Sequence, residues 1–250
     1  MSSRRVIGVC LTASAAACVT SCASPRPKPA ADLPRYAWTD AATVLRTMED
    51  RDRAVDTFSA SCDLLVETNG KRVALTGAVA ADPPNRLHLR AWKLSQAVLD
   101  LTLNEDGLFL YQKKRGGAAD SSVSKLTEQR FVSVLKLLPG FGTTGQWKPA
   151  TVGRNEFSVI SRLADGPTTE CFIDKQTLTR TRCVHRDGRG HVAETLSFTS
   201  YRPIGGTVWP MHLAARGLHG DVDLEFDDVT INEALSPRAF KPPRRAVKQP

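Results

Sequence analysis

The sequence predicts an α+β fold in which helices cover the apolar face of an antiparallel sheet. Between residues 58 and 112, apolar residues alternate with mostly polar ones in five successive segments, which is the pattern of half-buried strands. Two segments, 40–56 and 124–138, place their apolar residues at helical spacing instead. From residue 156 onward, a second series of alternating segments is interrupted by hairpin turns.

The first element is a helix that ends near Asp56. Thr39 or Asp40 can accept hydrogen bonds from its first turn, as N-cap residues do. One side is apolar at every third or fourth residue, and the sequence EDRDR occupies the other side. The apolar positions are Ala41, Val44, Leu45, Met48 and Val55.

Five strands follow and are expected to pair as a meander. Asn69-Gly70 predicts a two-residue hairpin between the first two strands. Because a sheet with one bare apolar face is not stable in water, this face must be covered or must curve around something. The apolar positions, strand by strand, are Phe58, Ala60, Cys62, Leu64 and Val66; Val73, Leu75, Gly77 and Val79; Leu87, Leu89 and Ala91; Ala97, Leu99, Leu101 and Leu103; and Leu108 and Leu110.

The second helix is the natural cover for this face. Ser124 can cap it, and Phe131, Val134, Leu135 and Leu138 then point the same way. Strands resume after the sequence GFGTTGQW. The six further segments are EFSVISRL, TTECFIDK, TLTRTRCVHR, HVAETLSFTSYR, VWPMHLAARG and VDLEFDDVTIN.

The N-terminus has the organisation of a secretory signal. Arg4 and Arg5 precede an apolar stretch, residues 6–19, that is too short to span a bilayer comfortably. The sequence VTSC, residues 19–22, resembles the lipobox of bacterial lipoproteins, in which an aliphatic residue and two small residues precede the lipidated cysteine. The sequence AAAC, which ends at Cys18, lacks the aliphatic residue. An ordinary signal cleaved near AAA would instead give a soluble secreted protein.

This resemblance divides the chain into a signal peptide (1–21), a lipidated Cys22 with a Pro-rich tether (22–37), a folded domain (38–243) and a basic tail (244–250). The Cys22 thiolate can take a diacylglycerol as a thioether, and no cofactor besides this covalent acyl modification is expected. Several acyl chains anchor a protein firmly, at ~0.8 kcal/mol per buried CH₂. Ala23 replaces the Asp that retains such lipoproteins in the inner membrane. We therefore expect an anchor in the outer membrane, facing the periplasm.

Composition and motifs argue against several functions. The net charge of +8 favours anionic surfaces such as lipid head groups, but no nucleic-acid-binding signature accompanies it. No G-x-S-x-G elbow frames a nucleophile, so we do not expect an enzyme. Cys183, His185 and His191 match no familiar zinc spacing, and no metal site is expected. The alternative for the two histidines is a solvent-facing position at a hairpin end.

The cysteines give little further information. Beyond Cys22, the mature chain has Cys62, Cys171 and Cys183, an odd number that does not make a disulfide framework. A bond between Cys171 and Cys183 is possible because the two lie on neighbouring strands. We expect them to be out of register and therefore unbonded.

The order of elements resembles the LolA/LolB-like superfamily of bacterial lipoprotein carriers and receptors. Its members commonly end with a strand, an Asn and a Phe-x-x-Pro sequence, and Asn232, Phe240 and Pro243 occupy these places. Residues 83–111 look like the third to fifth strands of the family, and RFVSVLKLLPG looks like its lid helix. The resemblance covers most of residues 40–243. It implies an unclosed antiparallel half-barrel whose helices cover the concave apolar face and leave a cavity for acyl chains.

The unbroken apolar face of the five strands then supplies the candidate lining of this cavity. Acyl chains would leave water for it, which is worth ~25 cal/mol per Å² of apolar surface buried. The alternative is that the same residues pack as a dry core. The candidates are Leu64, Val66, Leu75, Leu89, Leu101, Leu110, Phe131 and Leu135.

The turn AWKLSQ, residues 91–96, is unusually apolar for a hairpin tip. In the anchored receptors that this chain resembles, the corresponding connection carries an exposed apolar residue that helps deliver cargo to the membrane. We therefore expect Trp92 and Leu94 to touch lipid, with Lys93 near anionic head groups. The alternative is that both fold back onto the sheet rim or the lid helix.

The sequence thus predicts a membrane-anchored envelope lipoprotein that binds lipid or lipoprotein acyl chains, for lipoprotein sorting or outer-membrane insertion. A sensor or scaffold of the envelope, built on the same fold and binding a protein partner, is the alternative. A hydrolase with an unrecognised site is the third hypothesis.

Overall fold

The computed structural model describes residues 33–68, 70–113, 135, 137–141, 147–162, 167–218 and 220–249. It contains one antiparallel sheet of 13 strands, in the order β13-β5-β4-β3-β2-β1-β12-β11-β10-β9-β8-β7-β6. The sheet is not closed, and this confirms the predicted α+β fold with an open antiparallel sheet. The strands are β1 (Phe58–Thr68), β2 (Lys71–Asp82), β3 (Arg86–Lys93), β4 (Gln96–Asn104), β5 (Gly107–Gln112), β6 (Lys148–Val152), β7 (Glu156–Arg162), β8 (Thr168–Asp174), β9 (Arg180–Arg186), β10 (Val192–Ile204), β11 (Thr207–Gly217), β12 (Gly220–Ile231) and β13 (Val247–Lys248).

The predicted meander is present as β1–β5, and its alternating apolar residues form the inner face of the sheet. Side chains of β1 that the sequence placed on this face are buried, whereas Ser61 and Asp63 between them are exposed. The aromatic centre of the core spans both halves of the sheet. The ring of Trp209 on β11 lies 4.6 Å from that of Phe58 and 6.2 Å from that of Phe226.

Helix α1 (Ala41–Arg53) packs on the inner face, as predicted. Asp40 is its N-cap, and the Asp40 carboxylate accepts a hydrogen bond from the Thr43 amide at 2.9 Å. Val44 and Met48 are buried in the core cluster. The helix buries its apolar side against the sheet and exposes Asp50 and Arg53. Asp52, which the sequence placed on the charged side, is buried as well.

Asn232 fixes the junction between α1 and β1. Its backbone has φ +61°, a left-handed conformation that Asn tolerates better than most residues. Its side-chain oxygen accepts a hydrogen bond from the Asp56 amide at 2.8 Å, and its amide nitrogen donates to the Ala54 carbonyl at 2.8 Å. An Asn at this place thus closes the end of β12 onto the start of β1.

The C-terminal segment crosses one end of the sheet. A 3₁₀-helix (Pro237–Phe240) follows β12, and the Asn104 side chain donates a hydrogen bond to the Phe240 carbonyl at 3.1 Å. Val247 and Lys248 then pair with Leu110 and Phe109 as strand β13. The sheet therefore includes residues from the segment that the sequence analysis separated as a basic tail.

One expectation about the cysteines is wrong. Cys171 on β8 lies directly opposite Cys183 on β9, and the two form a disulfide with their Cα atoms 4.0 Å apart. The register shift between these strands falls after this pair, between Phe172 and Ile173. The two cysteines are therefore in register, and the geometric objection to a bond does not apply.

Candidate functional site

The inner face of β1–β5 brings together seven of the eight predicted lining residues. Six of them are buried, and Leu75 is partly buried against the same cluster. Phe131 lies outside the described residues, as does most of the predicted second helix. Leu135 from that segment is fully buried, together with Leu137, Leu138 and Phe141. The buried six are Leu64, Val66, Leu89, Leu101, Leu110 and Leu135.

This part of the inner face is densely packed and chemically inert. A side chain at Gly77 would lie 2.6 Å from the Leu64 methyl group, so β2 needs glycine here for Leu64 to fit. Burial raises the pKa of the Cys62 thiol to about 12, with a further contribution from the Asp63 and Asp227 carboxylates. The thiol therefore behaves as an apolar side chain rather than a nucleophile.

The inner face under β8–β10 is different, because it carries a buried ion pair. The Arg180 guanidinium donates a 2.6 Å hydrogen bond to the Asp52 carboxylate on α1 and a 2.9 Å hydrogen bond to the Leu137 carbonyl. The Tyr201 hydroxyl donates to the Arg180 carbonyl at 2.6 Å. These contacts tie the helix, the segment at residue 137 and strand β9 to one another.

Electrostatics favours the charged form of Arg180. Burial alone would lower the pKa of Arg180, but the nearby Asp52 carboxylate outweighs it and raises the pKa. Burial also raises the pKa of Tyr201, so its hydroxyl keeps its proton as a donor. The sequence carries no signal for this cluster, because Asp52 and Arg180 are 128 residues apart and neither stands in a motif.

Two small voids on this side of the molecule are lined by described residues. One cavity of about 10 Å³ lies among Arg51, Asp52, Arg180 and Tyr201. A second cavity of about 10 Å³ lies between Met48 and the disulfide strand β8. Each holds no more than one water molecule. Among the described residues, α1 and the Leu135–Phe141 region therefore meet this part of the sheet in close contact.

The outer face of the sheet has two wider depressions, of about 460 and 440 Å³, and Trp92 borders both. In the first, Asp63 on β1 lies directly opposite Glu225 on β12. The residues around this first groove are Asp63, Leu64, Leu65, Ala74, Leu75, Thr76, Trp92, Lys93, Leu94, His212, Asp223 and Glu225.

A carboxylate with two basic partners lies on the outer side of β3 and β4. Asp100 is 1% exposed and accepts a 2.6 Å hydrogen bond from the Arg90 guanidinium, while His88 Nε2 lies 3.1 Å from its other oxygen. Burial opposes ionisation of Asp100. The hydrogen bonds from His88 and Arg90 outweigh that effect and lower the pKa of the carboxyl group.

The two residues predicted to touch lipid have different environments. Leu94 is 89% exposed at the tip of the β3–β4 hairpin, whereas Trp92 is half-buried against the outer face. Leu94 and Ser95 have φ of +49° and +63°, values that Asn-Gly adopts far more easily. A leucine in this conformation costs roughly 1–3 kcal/mol. Of the two residues in the alternative, Leu94 does not pack on the described part of the sheet, whereas Trp92 is partly covered.

The residues considered for zinc are committed to other contacts. Cys183 is in the disulfide, and His185 Nδ1 lies 2.7 Å from the Thr169 hydroxyl. His191 is exposed and lies 3.5 Å from Asp187. Across the described residues, no three His, Cys, Asp or Glu side chains are grouped to hold a metal ion. None of the described helices has both the length and the apolar character to cross a membrane.

Comparison with known proteins gives matches in structure alone. No family model and no curated protein matches this sequence. A LolA superfamily protein from Nitrosomonas europaea is similar over 82% of this chain and 98% of its own, with a TM-score of 0.57 and 10% identity. An outer membrane lipoprotein-sorting protein domain from Vibrio parahaemolyticus covers 79% of this chain and 94% of its own, with a TM-score of 0.56 and 11% identity.

A DUF1329 family protein from Desulfovibrio piger gives the same result. It covers 80% of this chain and 95% of its own, with a TM-score of 0.55 and 11% identity. At such identities the likeness concerns the path of the backbone and the order of strands. It agrees with the resemblance found in the sequence: the chain has the LolA-like fold.

Proposed function

We propose that the chain is a lipid-anchored protein of the bacterial envelope that binds the acyl chains of a lipid or lipoprotein. The acyl chains would enter between the inner face of β1–β5 and the region Leu135–Phe141. The observation that supports this proposal is the continuous aliphatic surface formed by the buried leucines of β1, β3, β4 and β5. Each buried CH₂ of an acyl chain would contribute ~0.8 kcal/mol.

The contacts of the region Leu135–Phe141, here called the cover, would allow an acyl chain to enter. Among the described residues, the hydrogen bond that links this region to a strand runs from Arg180 to the Leu137 carbonyl. Leu135 and Leu138 of this region belong to the same buried apolar cluster as the leucines of β1–β5. An acyl chain could replace such contacts without breaking a hydrogen bond. The Arg180 contact would keep the cover attached on its other side.

Binding of a fluorescent fatty-acid probe to the Cys22→Ser chain tests the proposal. We expect saturable binding that unlabelled palmitate displaces. Leu101→Glu should abolish it, because the carboxylate would stand unpaired within the aliphatic surface. Ala78→Glu, which adds the same charge on the exposed outer side of β2, is the matched control and should bind as the parent does. Circular dichroism melts check that each variant is folded. Failure of the folded parent to bind would reject the proposal.

The anchor at Cys22 is a separate part of the proposal. It is supported by the sequence VTSC after a charged and apolar leader, and Ala23 favours the outer membrane. Intact-mass analysis of the chain expressed in a bacterium should give a diacylglycerol-modified N-terminus at Cys22. Cys22→Ser should move the protein from the membrane to the soluble fraction. An unmodified N-terminus at another residue would contradict the anchor without affecting the acyl site.

A second candidate is docking of a protein partner on the outer face. The like charges of Asp63 and Glu225 face each other, and no cationic side chain pairs with them among the described residues. Such a pair is destabilising by itself. A partner segment with cationic and apolar side chains would fit this charge beside Trp92. If this is the function, Asp63→Asn with Glu225→Gln should abolish crosslinking of the partner and leave fatty-acid binding unchanged.

A further inference from the structure

A second exposed leucine stands at another hairpin tip. Leu218, in the turn between β11 and β12, is 81% exposed. The turn is flanked by Gly217 and Gly220, which pair with each other. A side chain at Gly220 would collide with the Glu67 carbonyl, so the two glycines let this hairpin lie tightly beside β1. Val192, at the start of β10, is 46% exposed.

Strand pairing places these tips at the same end of the sheet as Leu94. Trp92 pairs with Thr76, so the β3–β4 hairpin turns back two positions later. Strands β1 and β2 continue further in that direction, to the pair of Thr68 with Lys71. The β11–β12 turn lies beside this hairpin, since Asp221 pairs with Glu67.

From the β3–β4 hairpin to the β9–β10 hairpin, the turns lie progressively further along the strand direction. Beyond Gly217, which pairs with Glu194, strand β10 continues to the pair of Val192 with Arg186. In barrels the strands tilt by about 35–45° to the axis, and this tilt converts such a stagger into a level edge. We call the edge that carries Leu94, Leu218 and Val192 the hairpin rim.

The tips of the hairpin rim carry unpaired cations, whereas the unpaired carboxylates of Asp63 and Glu225 lie four residues back along β1 from the pair of Glu67 with Asp221. Lys71, Lys93 and Arg189 are exposed, and none of them forms an ion pair with a described residue. Arg72 is neutralised by Glu67 at 3.1 Å, and Asp187 contacts His191. Two exposed leucines among unpaired cations match the interface of an anionic bilayer, where apolar side chains insert and basic groups meet phosphates.

We infer that the hairpin rim docks end-on against an anionic phospholipid surface, with Leu94 and Leu218 as two separate points of insertion. Two points on opposite sides of the β1–β2 hairpin define an orientation, which a single loop cannot do. The end of the inner face that carries the hairpin rim then points at the bilayer. The inference rests on the proposed function, since it assigns the rim as the place where acyl chains are exchanged.

Vesicle flotation of the Cys22→Ser chain tests this inference. The vesicles are phosphatidylethanolamine with phosphatidylglycerol, and pure phosphatidylcholine vesicles are the neutral comparison. We expect binding to the anionic vesicles that weakens as salt is raised. Leu218→Asn and Leu94→Asn should each weaken binding roughly tenfold, because each removes one inserted leucine. The double variant should lose binding.

Val152→Asn is the matched control. Val152 is 57% exposed on β6, and it lies at the opposite end of the strands, since it pairs with Phe157 near the start of β7. This variant should bind vesicles as the parent does. Unchanged binding of Leu218→Asn, or equal loss in Val152→Asn, would overturn the inference. Fatty-acid binding measured on the same variants separates the two claims, because the rim variants should keep it even if vesicle docking fails.

Discussion

The two halves of the inner face are held together in different ways. Under β8–β10, the Cys171–Cys183 disulfide and the Asp52–Arg180 ion pair connect the strands to each other and to α1. Under β1–β5, the core consists of apolar side chains, among which Leu89, Leu101 and Leu135 are fully buried. Among the described residues, covalent and charged contacts hold the β8–β10 half, and apolar contacts without an ion pair hold the inner face of β1–β5.

This difference indicates which half can open. Apolar contacts are not directional, and an acyl chain can take the place of a leucine side chain with little loss of free energy. A buried ion pair cannot be separated without leaving an uncompensated charge. In the proposed mechanism, the β8–β10 side would therefore stay fixed, and the β1–β5 side would yield to an acyl chain.

Removal of the Asp52–Arg180 ion pair should have the largest effect on stability. Asp52→Ala leaves the Arg180 guanidinium buried without its carboxylate, and the free energy of unfolding should fall by about 3–5 kcal/mol. Chemical denaturation measures this. Asp50→Ala is the control, since Asp50 makes an exposed ion pair with Arg53 on the same helix and should cost less than about 1 kcal/mol. Equal effects of the two substitutions would mean that the Asp52–Arg180 pair does not stabilise the β8–β10 half.

Reduction of the disulfide should have the next largest effect. The cysteines are 12 residues apart, and a bond that closes a loop of this length stabilises a protein by about 3 kcal/mol. Denaturation with and without a thiol reductant gives the difference. The Cys171→Ser, Cys183→Ser double variant should show no response to the reductant. If the oxidised and reduced proteins unfold at the same denaturant concentration, the disulfide does not stabilise the β8–β10 half.

The smallest predicted effect concerns the outer face of the yielding half. The folded-state pKa of Asp100 lies below its ordinary value of 3.8. Its contribution to stability is therefore complete above pH 3.8 and is lost as the pH falls through the lower folded value. Asp100→Asn should cost about 1–2 kcal/mol at neutral pH and should flatten the loss of stability on acidification. An unchanged acid limb in thermal melts would show that Arg90 and His88 do not hold this carboxylate.

Sequence patterns predicted the elements well because burial imposes a period on strands and helices. The alternation from Phe58 to Leu110 gave the correct inner face, and the position of Asp40 gave the start of α1. The register between strands was harder to predict. Whether Cys171 faces Cys183 depends on a shift of one residue, and no feature of the sequence specifies it.

Features formed by distant residues were not predicted. Asp52 and Arg180 meet only because the sheet curves under α1, and their spacing in the sequence carries no signal. Leu218 is a different case, because an apolar residue in a short turn between Gly217 and Gly220 was visible in the sequence. Its turn lacks the Trp and Lys neighbours that mark the turn at Leu94. Turns that carry a leucine where Asn or Gly would be favoured are worth examining together.

Photocrosslinking with a diazirine-labelled fatty acid tests directly whether acyl chains bind the inner face of β1–β5. The Cys22→Ser chain is irradiated with the bound probe, and the modified peptides are mapped by mass spectrometry. Our account predicts labels on peptides from β1, β4 and the Leu135 region, and their loss in Leu101→Glu but not in Ala78→Glu. Labels confined to β8–β10 or to the outer face around Trp92 would contradict it.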